Sequence, residues 1–159
     1  MRVPRLTAHL QQALTATASP AITGVRTFEQ AGYDAKPSGV VVDLASGGSV
    51  YLQVTRSSPP QGDDFDAEEQ IVTGDVLNPV PVPALAAGPV RTQDLRALII
   101  AALINSGSPE IETVAAGTTD YGIAVNFYNG ATGFVLLVHT VPAGQQPQAH
   151  REFQVLEAI

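Results

Sequence analysis

Two stretches of this chain say nearly the same thing, and that constrains the fold more than any motif does. Shifted by 89 positions, Arg2 falls on Arg91, Leu6 on Leu95, Leu10 on Ile99 and Leu14 on Leu103. Ser19-Pro20 then falls on Ser108-Pro109, Ile22 on Ile111 and Val25 on Val114. At a shift of 83, Gly39 meets Gly122, Val42 meets Val125 and Gly47 meets Gly130; at 84, Leu52 meets Leu136 and Val54 meets Val138. Matches that keep their order through two indels in turn regions point to an internal duplication.

Each copy reads as a helix followed by three strands. Leu6, Leu10 and Leu14, and Leu95, Ile99 and Leu103, recur every four residues along one helical stripe. Thr92 is expected to cap the second helix, Asp94 suits its positive end, and Ser106-Gly107 before Pro109 stops it. That helix is apolar nearly all round (ALIIAALI), so it should be the more buried of the two. Expected strands run over 22–29, 40–44 and 49–56 in the first copy and over 110–115, 122–128 and 133–141 in the second. Ala45-Ser46-Gly47-Gly48 and Asn129-Gly130 form the hairpin turns. A last strand is expected over Arg151 to Ala158, with Phe153, Val155 and Leu156 as its apolar residues. The expected fold is α+β: two αβββ halves, 1–56 and 91–159, sharing one core about a pseudo-two-fold axis, with antiparallel sheet packed by two helices.

Residues 57–90 separate the halves. They hold Asp63, Asp64, Asp66, Glu68, Glu69 and Asp75 and no basic residue, so most of the net charge of −7 is local to them. A solvated charge run accounts for the first part. A calcium loop starting at Asp64 lacks the Gly and the bidentate Glu it needs at Glu69 and Asp75. Fully extended, the segment spans on the order of 100 Å, and structureless connections of that length are usually either functional or disordered. Val76, Leu77, Val80, Val82 and Leu85, alternating in part with Pro79, Pro81 and Pro83, suit a stiff docked arm. The first part should therefore be solvated and the second docked, either on the chain's own body or on a neighbour.

Chemistry is sparse. No G-x-x-x-x-G-K-[ST] or G-x-S-x-G occurs, and the absence of Cys excludes thiolate catalysis, disulfides and Cys-based zinc sites. His9 reads as structural. His139, His150 and Glu152 form a conceivable ligand set with no spacing rule behind it, so no metal or other cofactor is expected. Glu110 and Glu112 read as solubilising charges on an edge strand, Asp43 as a solvated sheet residue, and Arg56 and Arg151 as their ion-pair partners. Tyr33 and Tyr121, ahead of the middle strands, read as covers for sheet edges. The reading is of a non-enzymatic protein. No basic stripe with interleaved aromatics suggests nucleic acid. The N-terminal residues read as a helix rather than a signal peptide, because His9, Gln11 and Gln12 interrupt any apolar core, and no apolar run reaches membrane-spanning length. Charged residues are only 14% of the chain, which favours burying surface against protein partners, other copies included.

The element order resembles the small α+β tail-terminator and tail-completion proteins of long-tailed bacteriophages. That resemblance implies a virion subunit that oligomerises through sheet edges and extended arms, with Val76 to Leu85 as arm and the strand containing Phe153 and Val155 as edge; its place would be the virion, or the cytoplasm before assembly. The same order also resembles type III secretion-chaperone-like proteins, and an immunity-type inhibitor is a variant of that class. There Asp63, Asp64, Asp66, Glu68 and Glu69 would contact a basic partner.

Overall fold

The computed structural model describes residues 1–159. Helix α1 (Val3–Ala16) starts at an extended Arg2 with a proline in its first turn, and Leu6, Leu10 and Leu14 are all buried. Strand β1 (Ile22–Thr27), the short helix α2 (Phe28–Ala31), β2 (Gly39–Leu44) and β3 (Ser49–Arg56) follow. Helix α3 (Thr92–Asn105), β4 (Ile111–Ala116), β5 (Gly122–Phe127) and β6 (Thr132–Val141) come after residues 57–90, and a single 3-10 turn, Ala149–Arg151, lies near the C-terminus. The fold is α+β.

All six strands form one antiparallel sheet in the order β1-β2-β3-β6-β5-β4. The joint between β3 and β6 is the longest ladder and carries a bulge near Tyr51 and Leu52. α1 and α3 touch each other and lie on one face of the sheet, α3 over β4. Alternation along the strands turns Val40, Val42, Val50, Leu52, Val54, Ile123, Val125, Val135 and Leu137 toward the helices. One core cluster of 27 buried residues contains side chains from both helices and from all strands except β1, whose Ile22 and Val25 pack against it half-buried. As its composition predicts, α3 buries more residues than α1: Leu98 and Ala101 are covered as well as its stripe.

Four local expectations are corrected. Thr92 is the first residue of α3 and does not cap it. Its hydroxyl donates to the Leu156 carbonyl, while Arg91 is the cap position and pairs loosely with Asp94 at 3.6 Å. The first strand stops at Thr27, not at Glu29, because Thr27 and Gln30 form a reciprocal capping box that opens α2, and Gly32 closes it at φ 67°. Arg151 to Ala158 is not a sheet strand. The 3-10 turn and a left-handed Phe153 (φ 60°) break its extended run, and its apolar side chains go to different places: Phe153 against Tyr121, Val155 half-buried against the core, and Leu156 outward. Its only ladder-like contact is a bridge from Ala158 to Arg91, flanked by paired bonds between Val90 and Ile159. The free edges of the sheet are therefore β1 and β4. Finally, residues 57–90 contain no helix or strand but are fastened to the body along their length, as described next.

Candidate functional site

Residues 57–90 form a strap. Its acidic start is not a free solvated run. The Asp63 carboxylate accepts from Arg2 (2.9 Å) and from the nearly buried Arg56 guanidinium. Glu69 meets Arg5 at 2.9 Å and the amino terminus at 3.4 Å, and accepts from the Arg2 amide. Glu110, expected at an exposed strand edge, is buried ahead of β4 and paired with Arg5. Arg56 thus serves Asp63, not Asp43 or Glu110. Asp43 takes a two-pronged bond from Arg26 at 2.8 and 2.9 Å, and Arg151 is exposed. Of the five acids proposed as contact residues, Asp63 and Glu69 are held by the chain's own cations, whereas Asp64, Asp66 and Glu68 stay exposed.

This network titrates. Hydrogen bonds from Arg2 and then Arg56 hold the Asp63 carboxyl below its usual range. Burial alone would raise Glu69, but bonds from Arg5 and the Arg2 amide outweigh it and hold it low. On the other face of the sheet, His139 is buried between Tyr33 and Tyr51, with Nε2 3.1 Å from the Tyr33 hydroxyl. Burial pushes His139 down against the opposing pull of Glu152, and burial likewise lowers His9, which pairs with Ser106 at 2.8 Å. All four groups have folded pKa values below their unfolded ones, so the unfolded chain binds more protons and stability is lost as the pH is lowered. Two stages are expected in the melting temperature on acidification. The histidines act from about pH 6.5 downward and the carboxylates below about pH 4. His139→Gln should flatten the first stage, and a melting temperature that rises on acidification would contradict the scheme.

Beyond the acidic start the strap climbs across the end of the sheet. Gly74 donates to the Pro109 carbonyl at 2.9 Å and lies flat on the Tyr128 ring, where a Cβ would sit 2.3 Å from the ring; the Tyr128 hydroxyl donates to Asp75 at 2.9 Å. Asn105, the last residue of α3, clamps both backbone groups of Val80, at 2.7 and 2.8 Å. Leu77 packs half-buried against the core, and Leu85 and Val90 are buried in it, in one cluster with Leu98 of α3. The side chains do not all follow the backbone inward. Val76 is 53% exposed and Val80 and Val82 are 37% and 39% exposed, so of the arm residues Leu77 and Leu85 dock on the chain's own body and these three valines do not. The prolines explain the inversion: Pro79, Pro81 and Pro83 leave Val80 and Val82 as the amide donors of the stretch, and Asn105 takes the first. Backbone bonds, not valines, hold this part down.

Six of the eight large exposed hydrophobic residues of the molecule lie on this strap: Phe65, Ile71, Val72, Val76, Val80 and Val82. Lone exposed apolar residues are ordinary, but a run of them on one pinned segment is not. Phe153 and Val155, expected on an edge strand, instead line an open cleft of about 720 Å³ beside the start of α3, with Arg91, Arg96 and Tyr121. Arg96 there is structural: it donates to the carbonyls of Gly117, Thr119 and Gly122 and so ties the β4–β5 turn to α3. His139 is held by Tyr33, Glu152 by Lys36 at 2.7 Å, and His150 is exposed, so the three do not assemble; no group of three His, Asp or Glu side chains is arranged to hold a metal ion. No helix is long and apolar enough to cross a membrane.

Comparison of the chain with family models, with curated proteins and with solved structures finds no match.

Proposed function

We propose that this chain is a non-enzymatic assembly protein: a duplicated helix-and-sheet body that presents an apolar strap to neighbouring protein subunits. The carrying observation is the concentration of exposed apolar side chains on a strap whose backbone is already fixed. A segment ordered before it meets its partner has little conformational entropy left to lose on docking. The tail-completion resemblance supplies the setting this reading expects, a phage virion in which such subunits contact copies of themselves or their neighbours.

The duplication rests on more than the sequence matches. α1 and α3 both have 14 residues and are offset by 89 at each end. The bulge between Ile22 and Gly24 recurs between Ile111 and Thr113, at the same offset. The hairpin bonds from Leu44 to Gly48 (2.9 Å) and from Phe127 to Ala131 (3.0 Å) are offset by 83. The ladders also favour 83 over 84 for the third strand. Val40 pairs with Leu52 as Ile123 pairs with Val135, so Leu52 matches the buried Val135 rather than the outward Leu136. A strand order in which each half mirrors the other about the β3–β6 joint supports a pseudo-two-fold arrangement.

The test is mass in solution. The chain is expected to sediment well above its 16.6 kDa monomer. The combined variant Val76→Ser, Val80→Ser, Val82→Ser should lower that mass while leaving the melting temperature within a degree or two, because these side chains are exposed. Asp64→Asn, Asp66→Asn, Glu68→Gln should change neither, although those substitutions would weaken an inhibitor that plugs a basic site. A chain that is monomeric throughout would remove the reading.

A further inference from the structure

We infer that β4 is a pairing edge for a second copy of this chain, joined antiparallel, β4 to β4, in a register centred on Ala115. The inference deepens the assembly reading, since it names a partner for one sheet edge, and it rests on that reading only for the idea that copies associate.

The two outer strands of the sheet are treated differently by otherwise matching halves. Gly117 donates to the Gly122 carbonyl at 2.8 Å, so alternation along β4 turns the backbone groups of Thr113 and Ala115 toward β5 and those of Val114 and Ala116 outward. No group in the molecule bonds these outward N–H and C=O groups. At the matching place on β1, the Val25 carbonyl accepts from Gln11 Nε2 at 2.9 Å, and Gln11 is braced by Gln30 at 3.0 Å. The residue of α3 matching Gln11 is Ile100, which packs half-buried against the core and offers no donor. β1 also carries Arg26, a charge of the kind that protects an edge. β4 has Ala115, Ala116 and Gly117 exposed or half-exposed at its end, and Glu112 is the one charged residue from Ile111 to Thr119. One edge is plugged and the other is open.

Two features favour a second copy as the occupant. The middle of this sheet is already an antiparallel pairing of matching strands, β3 with β6, so its twist accommodates a two-fold joint. The β4 sequence is also self-complementary in charge and size. Centred on Ala115, the register sets methyl against methyl, Thr113 opposite Gly117 and Glu112 opposite Thr118, so no charge faces its twin although the chain carries −7. Val114 and Ala116 of each copy then exchange four backbone hydrogen bonds, and the result is a continuous sheet of two molecules.

The experiment uses the full chain, which has no cysteine of its own. Ala115→Cys should form a disulfide-linked dimer on mild oxidation, because opposed residues of a pair not directly hydrogen-bonded have Cα atoms about 4.5 Å apart; Thr118→Cys, which faces Glu112, should not. Ala115→Lys places like charges opposite each other and should weaken the β4 contact about 100-fold without touching the β5 ladder. Ala116→Pro removes an outward N–H that β5 does not use and should act likewise; if it disturbs the fold, Ala115→Lys gives the same readout. Cross-linking of Ala115→Cys no faster than of Thr118→Cys, or a mass unmoved by Ala115→Lys, overturns the inference. The strap variant separates the two proposals: loss of mass with Ala115→Cys cross-linking intact supports both, whereas loss of mass with no cross-linking keeps the strap reading and removes this one.

Discussion

Phe127→Ala is expected to lower the unfolding free energy by about 3–5 kcal/mol, read from urea denaturation. Phe127 is 1% exposed and sits where β5 ends against β6 and α1. A methyl group added to Gly133 would meet Leu6 Cδ2 at 2.5 Å and the Phe127 ring at 3.2 Å, so the ring and the leucine share the space that glycine leaves. The matching positions in the first half are Leu44 and Val50, both buried. One half fills the site with leucine and valine, the other with phenylalanine and glycine, the same number of side-chain carbons shared out differently. Phe127→Leu alone opens a void, and Gly133→Val alone overpacks by about 1–3 kcal/mol. Combined, they should cost less than the sum of the two by about 1 kcal/mol or more. Strict additivity would mean that the two sites are not volume partners.

Gly39→Ala should cost about 3 kcal/mol, near the top of the range for adding one carbon. The new Cβ would stand 2.2 Å from the Leu52 carbonyl oxygen and 2.5 Å from the Phe28 ring. The oxygen belongs to the β2–β3 ladder and cannot withdraw without disturbing it. Phe28 packs edge-on against Tyr33 at 4.7 Å, and Tyr33 against Tyr51 at 4.9 Å, so displacement of the ring spreads through the aromatic group around His139. Loss of the near-ultraviolet circular dichroism of those tyrosines is the accompanying signal. Gly32→Ala is the control: it also lies at positive φ, 67°, but with nothing within 4 Å it should cost only about 1 kcal/mol.

The parts of this structure legible in the sequence are those specified locally. The leucine stripes, the two hairpin turns and the alternation of β2, β3, β5 and β6 each encode their element within a few residues. α2 was encoded too, by Thr27 and Gln30 at capping-box spacing, but the β-branched run before it hides the start. The strap was legible as a segment and not as a site. Its attachment depends on Arg2, Arg5 and Arg56 meeting Asp63 and Glu69, and on Asn105 meeting Val80, which are pairings between distant positions with no periodicity to reveal them. The C-terminal residues misled for a related reason: Phe153, Val155 and Leu156 have strand-like composition, while the left-handed turn at Phe153 answers to Val138, whose carbonyl takes its amide at 2.8 Å. The openness of β4 shows only when the two sheet edges are compared: Gln11 of α1 donates to β1, whereas Ile100 of α3 offers β4 no donor.

The β3–β6 joint has a genealogical consequence. Under the duplication, an ancestral half-sized chain would have met its own copy through β3, and the two would have come apart on dilution. Linking them through residues 57–90 makes that encounter intramolecular, at an effective concentration on the order of millimolar, so the body stays whole however scarce the protein is. On that account the two rims would have started equivalent, and once concentration no longer held the halves together one of them could remain unsealed and the linking segment could carry outward-facing valines.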